Sequence, residues 1–206
     1  MNREPSKWLE QGVKPLAPDA SDADVIAHSS RRPESFGLIF DRHAISIHRF
    51  IARRTDTETA DDVLSEVFAA AFKRRDRFDL AYDSALPWLY GIALNSIRRS
   101  WRTTSAHQRV SSRLDHKDAV PSHEDDAVER LDAAERWARL RPLVDELADG
   151  DRQALLLYAW EDLTYAQIAL ALEVPLGTVR SRIHRARAYV QARLEEVIPK
   201  ETHHDR

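Results

Sequence analysis

One stretch constrains this chain more than any other: Leu163 to Leu194, LTYAQIALALEVPLGTVRSRIHRARAYVQARL, whose caps, breakers and apolar spacing admit two helices joined by a tight turn. Thr164 followed three residues later by Gln167 has the spacing of a capping box, and Ile168, Ala169 and Leu172 then lay an apolar stripe along a short helix. The segment from Glu173 to Gly177 breaks it. Pro175 suits the first turn of a new helix and Gly177 leaves room for close backbone approach, so a second helix is predicted from Pro175 or Thr178 to Leu194.

At 100° per residue, Val179, Ile183, Ala186, Val190 and Leu194 share the stripe expected to be buried, while Ser181, His184, Arg185 and Ala188 face away from it. Arg180 and Arg182 flank that outer ridge. Small polar residues edged by guanidinium groups suit a DNA major groove in shape and charge. Arg185 is the candidate base reader with Ser181 and His184 beside it, Arg180, Arg182 and Arg187 are the phosphate candidates, and Thr178 completes the duplex-contacting set. A solvated, charge-rich helix is the competing reading. It is disfavoured because every charge from Arg180 to Arg187 is positive, so no acidic residue stands one turn away to form a surface pair.

Only five glycines in 206 residues and no alternating run bounded by turn residues imply an all-α protein of two small helical domains. The net charge of −3 argues against nucleic acid at first sight, but the charges are segregated. Basic residues crowd Arg98 to Arg113 and Arg180 to Arg193, acidic ones Asp115 to Glu135, and the local field governs contact with a polyanion. The absence of cysteine excludes disulfides, thiolate metal sites and thiol redox sensing. No apolar run approaches a membrane span and the N-terminus is polar, so a cytoplasmic protein without membrane insertion is expected. No nucleophile triad, phosphate loop or carboxylate constellation is recognisable, so neither an enzyme nor a cofactor is expected. His107, His116, His123, His203 and His204 lack partners at helical spacing and read as solvated rather than metal-binding.

Taken in order, residues 1–34 carry Pro5, Pro15, Pro18 and Pro33 among Ser, Asp and Ala and read as a mobile arm in which Trp8 and Leu9 are incidental. A first domain is expected over 35–102. Phe36, Ile39, Phe40, Ile47, Phe50 and Ile51 recur at helical spacing to Arg53. A second helix, Thr57 to Arg75, buries Ala60, Val63, Leu64, Val67, Phe68 and Ala71 and turns Asp62, Ser65, Glu66, Ala69 and Lys73 outward. On spacing alone, Asp62 and Glu66 read as solvated surface.

After a loop with Phe78 and Tyr82, a third helix from Ala85 to Arg102 buries Leu86, Leu89, Tyr90, Ala93, Ile97 and Trp101. Trp88, Asn95, Arg99 and Arg102 fall on its other side, with Gly91 and Arg98 at the edge. Either this face stacks and reads unpaired bases while its arginines follow phosphates, or Trp88 caps the core and the arginines are solvated. Residues 103–134 read as a linker that begins basic and turns acidic. A second domain, 135–198, is expected to hold four helices: Arg136 to Leu147, Arg152 to Trp160 with Gly150 at the joint, and the helix-turn-helix; 199–206 is a tail.

Four of these stretches resemble the alternative sigma factors of bacterial RNA polymerase, in the small extracytoplasmic-function group. FGLIFDRHAISIHRF and DDVLSEVFAAAFKRRDRFD are similar to the first two helices of that family's promoter-melting domain, and PWLYGIALNSIRRSWR to the helix that reads the minus-ten element. LADGDRQALLLYAWEDLTYAQIALALEVPLGTVRSRIHRARAYV resembles the domain that reads the minus-thirty-five element. All four in this order are far more specific than one.

The resemblance implies roles that spacing does not. Asp62, Ser65 and Glu66 become a surface for the clamp helices of the polymerase largest subunit, and the polymerase flap is a further expected contact. Phe78, Tyr82, Trp88, Asn95, Arg98, Arg99 and Arg102 become the capture site for a flipped base of the non-template strand. The acidic linker would thread toward the RNA exit path, and control by an anti-sigma factor is expected. Two positions depart from the family: Ser65 replaces the usual Gln, and Gly91 replaces a larger, often basic residue. The rival reading is a dimeric helix-turn-helix repressor or activator of duplex DNA, which has no use for the Trp88, Asn95 and Arg99 face. A protein-interaction module would leave the Arg180 to Arg187 cluster without a role.

Overall fold

The computed structural model describes residues 16, 17, 19–108 and 137–197, and the chain divides into two units at residues 116 and 117. Its helices are α1 (Asp22–Ser29), α2 (Gly37–Ala52), α3 (Thr57–Lys73), α4 (Leu86–Gln108), α5 (residues 137–145), α6 (Asp149–Trp160), α7 (Tyr165–Leu172) and α8 (Leu176–Val197). Short 3-10 turns at Pro33–Phe36 and Arg75–Arg77 precede α2 and follow α3. Among the described residues there is no strand, as the sequence implied.

In the first unit α2, α3 and α4 pack together, with α3 against α4 as the broadest contact. Asp56 caps α3 by accepting from Thr59 N at 2.9 Å. Ile39, Ile47, Phe50, Ile51, Val67 and Leu89 are completely buried, each contributing about 1.5–3 kcal/mol of hydrophobic stabilisation. Phe40, on the expected apolar spacing, is instead 44 % exposed and meets Phe68 edge-on. From Leu89 to Ile97, α4 is buried on nearly every side except Asn95, and Gly91, placed by periodicity at the edge of the outer face, is inside.

The reading of residues 1–34 as a mobile arm is corrected for 22–29. Ser21 and Asp24 form a reciprocal capping box, Asp24 N donating to Ser21 Oγ at 3.1 Å and Ser21 N to Asp24 Oδ2 at 3.0 Å. The helix it starts buries Val25 and Ile26. Asp22 ties it to the domain: its carboxylate accepts from Arg42 Nη1 at 2.8 Å and from the Ala85 backbone N at 2.8 Å, with His43 Nε2 at 2.6 Å. Burial pushes this carboxyl up, but the bonds from His43, the Ala85 backbone and Arg42 outweigh it and hold the pKa down at about 2. Residues 1–15 of the expected arm, with Trp8 and Leu9, lie outside the described residues.

The expected linker starts too early. With no glycine or proline between Gly91 and Pro121, nothing stops α4 at Arg102, and it continues to Gln108. Residues 109–136, which include His116, His123 and the acidic run, lie outside the described residues, as do residues 198–206 with His203 and His204.

The second unit is the four-helix arrangement that periodicity implied. Val144, Leu147 and Ala186 are buried together, with Trp137, Leu155, Leu156, Tyr189 and Val190 packed around them. Trp137 and Trp160 meet edge-on at 4.5 Å. Gly150 does not mark the joint between α5 and α6: it lies inside the first turn of α6, and the joint falls at residues 146–148.

Candidate nucleic-acid interface

The helix-turn-helix is built by local chemistry. Thr164 N donates to Gln167 Oε1 at 2.8 Å and Gln167 N donates to Thr164 Oγ1 at 3.3 Å, the capping box that starts α7. Glu173 ends α7 in a left-handed conformation, φ 52° and ψ 46°, with its N–H and that of Val174 donating to Leu170 O and Ala169 O. The Pro175 carbonyl then accepts from Thr178 N at 2.9 Å and starts α8. The close backbone approach expected at Gly177 does not occur, since a Cβ there would meet nothing within 4 Å.

Along α8, Val179, Ile183 and Ala186 are buried, and Arg180, Ser181, His184, Arg185, Arg187 and Ala188 are exposed. Thr178 and Arg182 are half-buried. The outer ridge therefore matches its expected composition, but three of its arginines are held by the neighbouring α6. Arg185 Nε donates to Asp151 Oδ2 at 2.9 Å and Nη2 to Asp151 Oδ1 at 2.7 Å, which raises the guanidinium pKa further above its ordinary value. Arg182 lies over Gly150, its Cζ 2.9 Å from where a Cβ would stand. The Arg187 guanidinium sits 4.7 Å from the centre of the Tyr158 ring. Sequence spacing gives no sign of Asp151, Gly150 or Tyr158 at this surface. Asp151 is 34 residues from Arg185, far beyond the helical spacing at which partners are read from sequence.

The α4 face is less open than its spacing implied. Trp88 is half-buried and its ring meets Phe78 at 5.3 Å, and Phe78 is itself buried at 6 % exposure. Phe78 therefore supports Trp88 from beneath, because a ring packed inside the domain cannot also stack a base. Tyr82, 37 % exposed, is the open aromatic of the loop. Asn95, Arg99 and Arg102 are exposed and Arg98 is half-buried, with Arg98 Nη1 donating to Asn95 Oδ1 at 3.2 Å.

On α3, Asp62 and Ser65 are exposed and Glu66 is half-buried. Arg99 Nη1 donates to Glu66 Oε1 at 2.5 Å, so the acidic ridge of α3 and the basic face of α4 meet at this pair. Among the described residues no helix is long and apolar enough to cross a membrane.

Residues 39–107 match the family Sigma-70 region 2, and residues 137–190 match Sigma-70, region 4. Helix α1 lies before the first match. The ECF RNA polymerase sigma-E factor of Escherichia coli (strain K12) is 28 % identical over 173 residues, covering 80 % of this chain and 89 % of that protein. The ECF RNA polymerase sigma factor SigC of Mycobacterium tuberculosis (strain CDC 1551 / Oshkosh) is 32 % identical over 141 residues, 68 % of this chain and 73 % of that protein. Among solved structures, CnrH in complex with the cytosolic domain of CnrY is similar with a TM-score of 0.57 and 26 % identity, covering 85 % of this chain and 97 % of that one. Two separate helical units, each matching one sigma region in the family's order, make this chain an extracytoplasmic-function sigma factor of the sigma-70 family.

Proposed function

We propose that this sigma factor docks on core RNA polymerase through Asp62, Ser65 and Glu66 of α3, reads an upstream duplex element with α8, and captures unpaired non-template bases with α4. In this reading Arg185 reads a base edge, Ser181, His184 and Thr178 line the groove, and Arg180, Arg182 and Arg187 set the register on phosphates. Asn95, Trp88 and Tyr82 form the single-strand site, with Arg98, Arg99 and Arg102 along the backbone. Phe78 acts as the support of Trp88. The polymerase performs all nucleotide chemistry, and the protein works where the polymerase is, in the cytoplasm.

The observation that carries this reading is the exposed Asn95, Arg99 and Arg102 face on a unit separate from the helix-turn-helix. A dimeric regulator of duplex DNA needs only the second unit. By similarity to CnrH, whose structure holds the cytosolic domain of CnrY, a protein partner of the anti-sigma kind restrains this chain until its signal arrives.

Size-exclusion chromatography with core polymerase tests the docking surface. Wild-type protein co-elutes, and Asp62→Ala combined with Glu66→Ala weakens co-elution while the circular dichroism melt is retained. Undiminished co-elution of that double variant removes α3 as the docking surface.

A further inference from the structure

An arginine offers two edges to a planar pair of acceptors: a side edge made of Nε and Nη2, and an end edge made of Nη1 and Nη2. In Arg185 the side edge is taken. It grips Asp151 of α6 at 2.9 and 2.7 Å. The Asp151 side chain is only 13 % exposed, whereas that of Arg185 is 58 % exposed, so the acid is set into the protein and the guanidinium projects from it. The end edge is not engaged by Asp151, and its paired donors match the O6 and N7 acceptors of guanine.

We infer that Asp151 is a positioning residue for DNA readout, clamping the side edge of Arg185 so that its end edge meets a guanine of the upstream element. This deepens the proposed function and rests on Arg185 as the base reader. An arginine side chain in water samples many rotamers, and ordering it costs conformational entropy. Asp151 orders it before DNA arrives, so the contact is preorganised. An unclamped guanidinium reaches a phosphate as readily as a base, and the clamp removes that choice. The same turn of α6 shapes the neighbouring arginine, because Arg182 lies over Gly150 at a distance that any side chain would contest.

The inference separates affinity from specificity. A carboxylate near DNA repels phosphates, so its loss raises general binding while it lowers discrimination at one base pair. A purely structural role for Asp151 lowers binding at all positions together.

The test uses the full chain assembled with core polymerase, selecting from a pool of promoter duplexes randomised across the upstream element. Wild type, Asp151→Asn, Asp151→Ser, Arg185→Ala and the Arg185→Ala, Asp151→Asn double variant are compared by sequencing the bound fraction, with thermal melts as fold controls. Both Asp151 variants are expected to lose about five- to tenfold of guanine preference at a single base pair, with total binding kept or raised. Arg185→Ala should abolish preference at that same pair, and adding Asp151→Asn should change that preference no further. If Arg185→Ala loses the preference while both Asp151 variants keep it, the positioning role is overturned and Arg185 stands as reader. An unchanged preference in Arg185→Ala overturns both assignments, and a uniform loss of binding in well-folded Asp151 variants assigns Asp151 to structure alone.

Discussion

Glu66 of α3 and Arg99 of α4 form an ion pair at 2.5 Å, joining the residue assigned to polymerase docking with one assigned to the melted strand. Their side chains are 37 % and 66 % exposed, so the pair is screened by water and contributes at most about 1 kcal/mol to stability. Its position matters more than its energy, since it links the proposed docking surface of α3 to the proposed strand site of α4.

Glu66→Ala and Arg99→Ala should each leave the melting temperature within a few degrees of wild type while impairing initiation. Differential scanning calorimetry beside a transcription assay reads both. Large destabilisation by either variant would place the pair in the fold instead of the function.

Asp22→Asn should destabilise the first unit by about 3 kcal/mol, because it strips the negative charge from a buried site that still holds Arg42 and His43. The Asp22 carboxyl lies at about 2 when folded, against an ordinary 3.8, so it contributes stability above pH 4 that is lost as pH falls toward 2. That contribution is about 2 kcal/mol, and the gap between wild type and Asp22→Asn in urea unfolding should narrow over this interval. A gap independent of pH would contradict the ionised state of Asp22.

Glu173→Gly should stabilise the second unit by about 0.5–1 kcal/mol, since Glu173 holds φ 52° in the turn of the helix-turn-helix, a conformation that penalises any Cβ. A higher urea midpoint with an unchanged slope is the expected result. A lower midpoint would show that the Glu173 side chain contributes more than its backbone costs.

Asn95→Ala should slow open-complex formation about fivefold or more, the cost of one lost hydrogen bond, and leave binding to core polymerase intact. Permanganate reactivity of unpaired thymines reads the melting, and co-elution reads the binding. Equal loss of both would indicate that Asn95, exposed within an otherwise buried stretch of α4, supports the helix.

The faces of α3 and α8 and the capping box at Thr164 were legible in the sequence because each depends on residues within a few helical turns, and the division into two domains because the composition changes between residues 103 and 134. Helix α1 was obscured by the prolines and short polar residues around it. Its capping box at Ser21 was a local signal, but what holds it is Asp22, whose partners Arg42, His43 and Ala85 are 20, 21 and 63 residues away. The same limit hid the clamp of Asp151 on Arg185. Phe78 and Trp88 both have the chemistry of a strand site, yet periodicity could not show that the loop folds one ring beneath the other.

Run-off transcription with purified core polymerase, from a template carrying the region upstream of this protein's own gene, tests the central assignment most directly. A discrete transcript that requires this protein, and accumulates severalfold more slowly in Asn95→Ala while polymerase association persists, is the result expected of a sigma factor using the α4 face. Binding of the protein alone, as a dimer, to a symmetric duplex site, with no association with polymerase and no transcript, would contradict it.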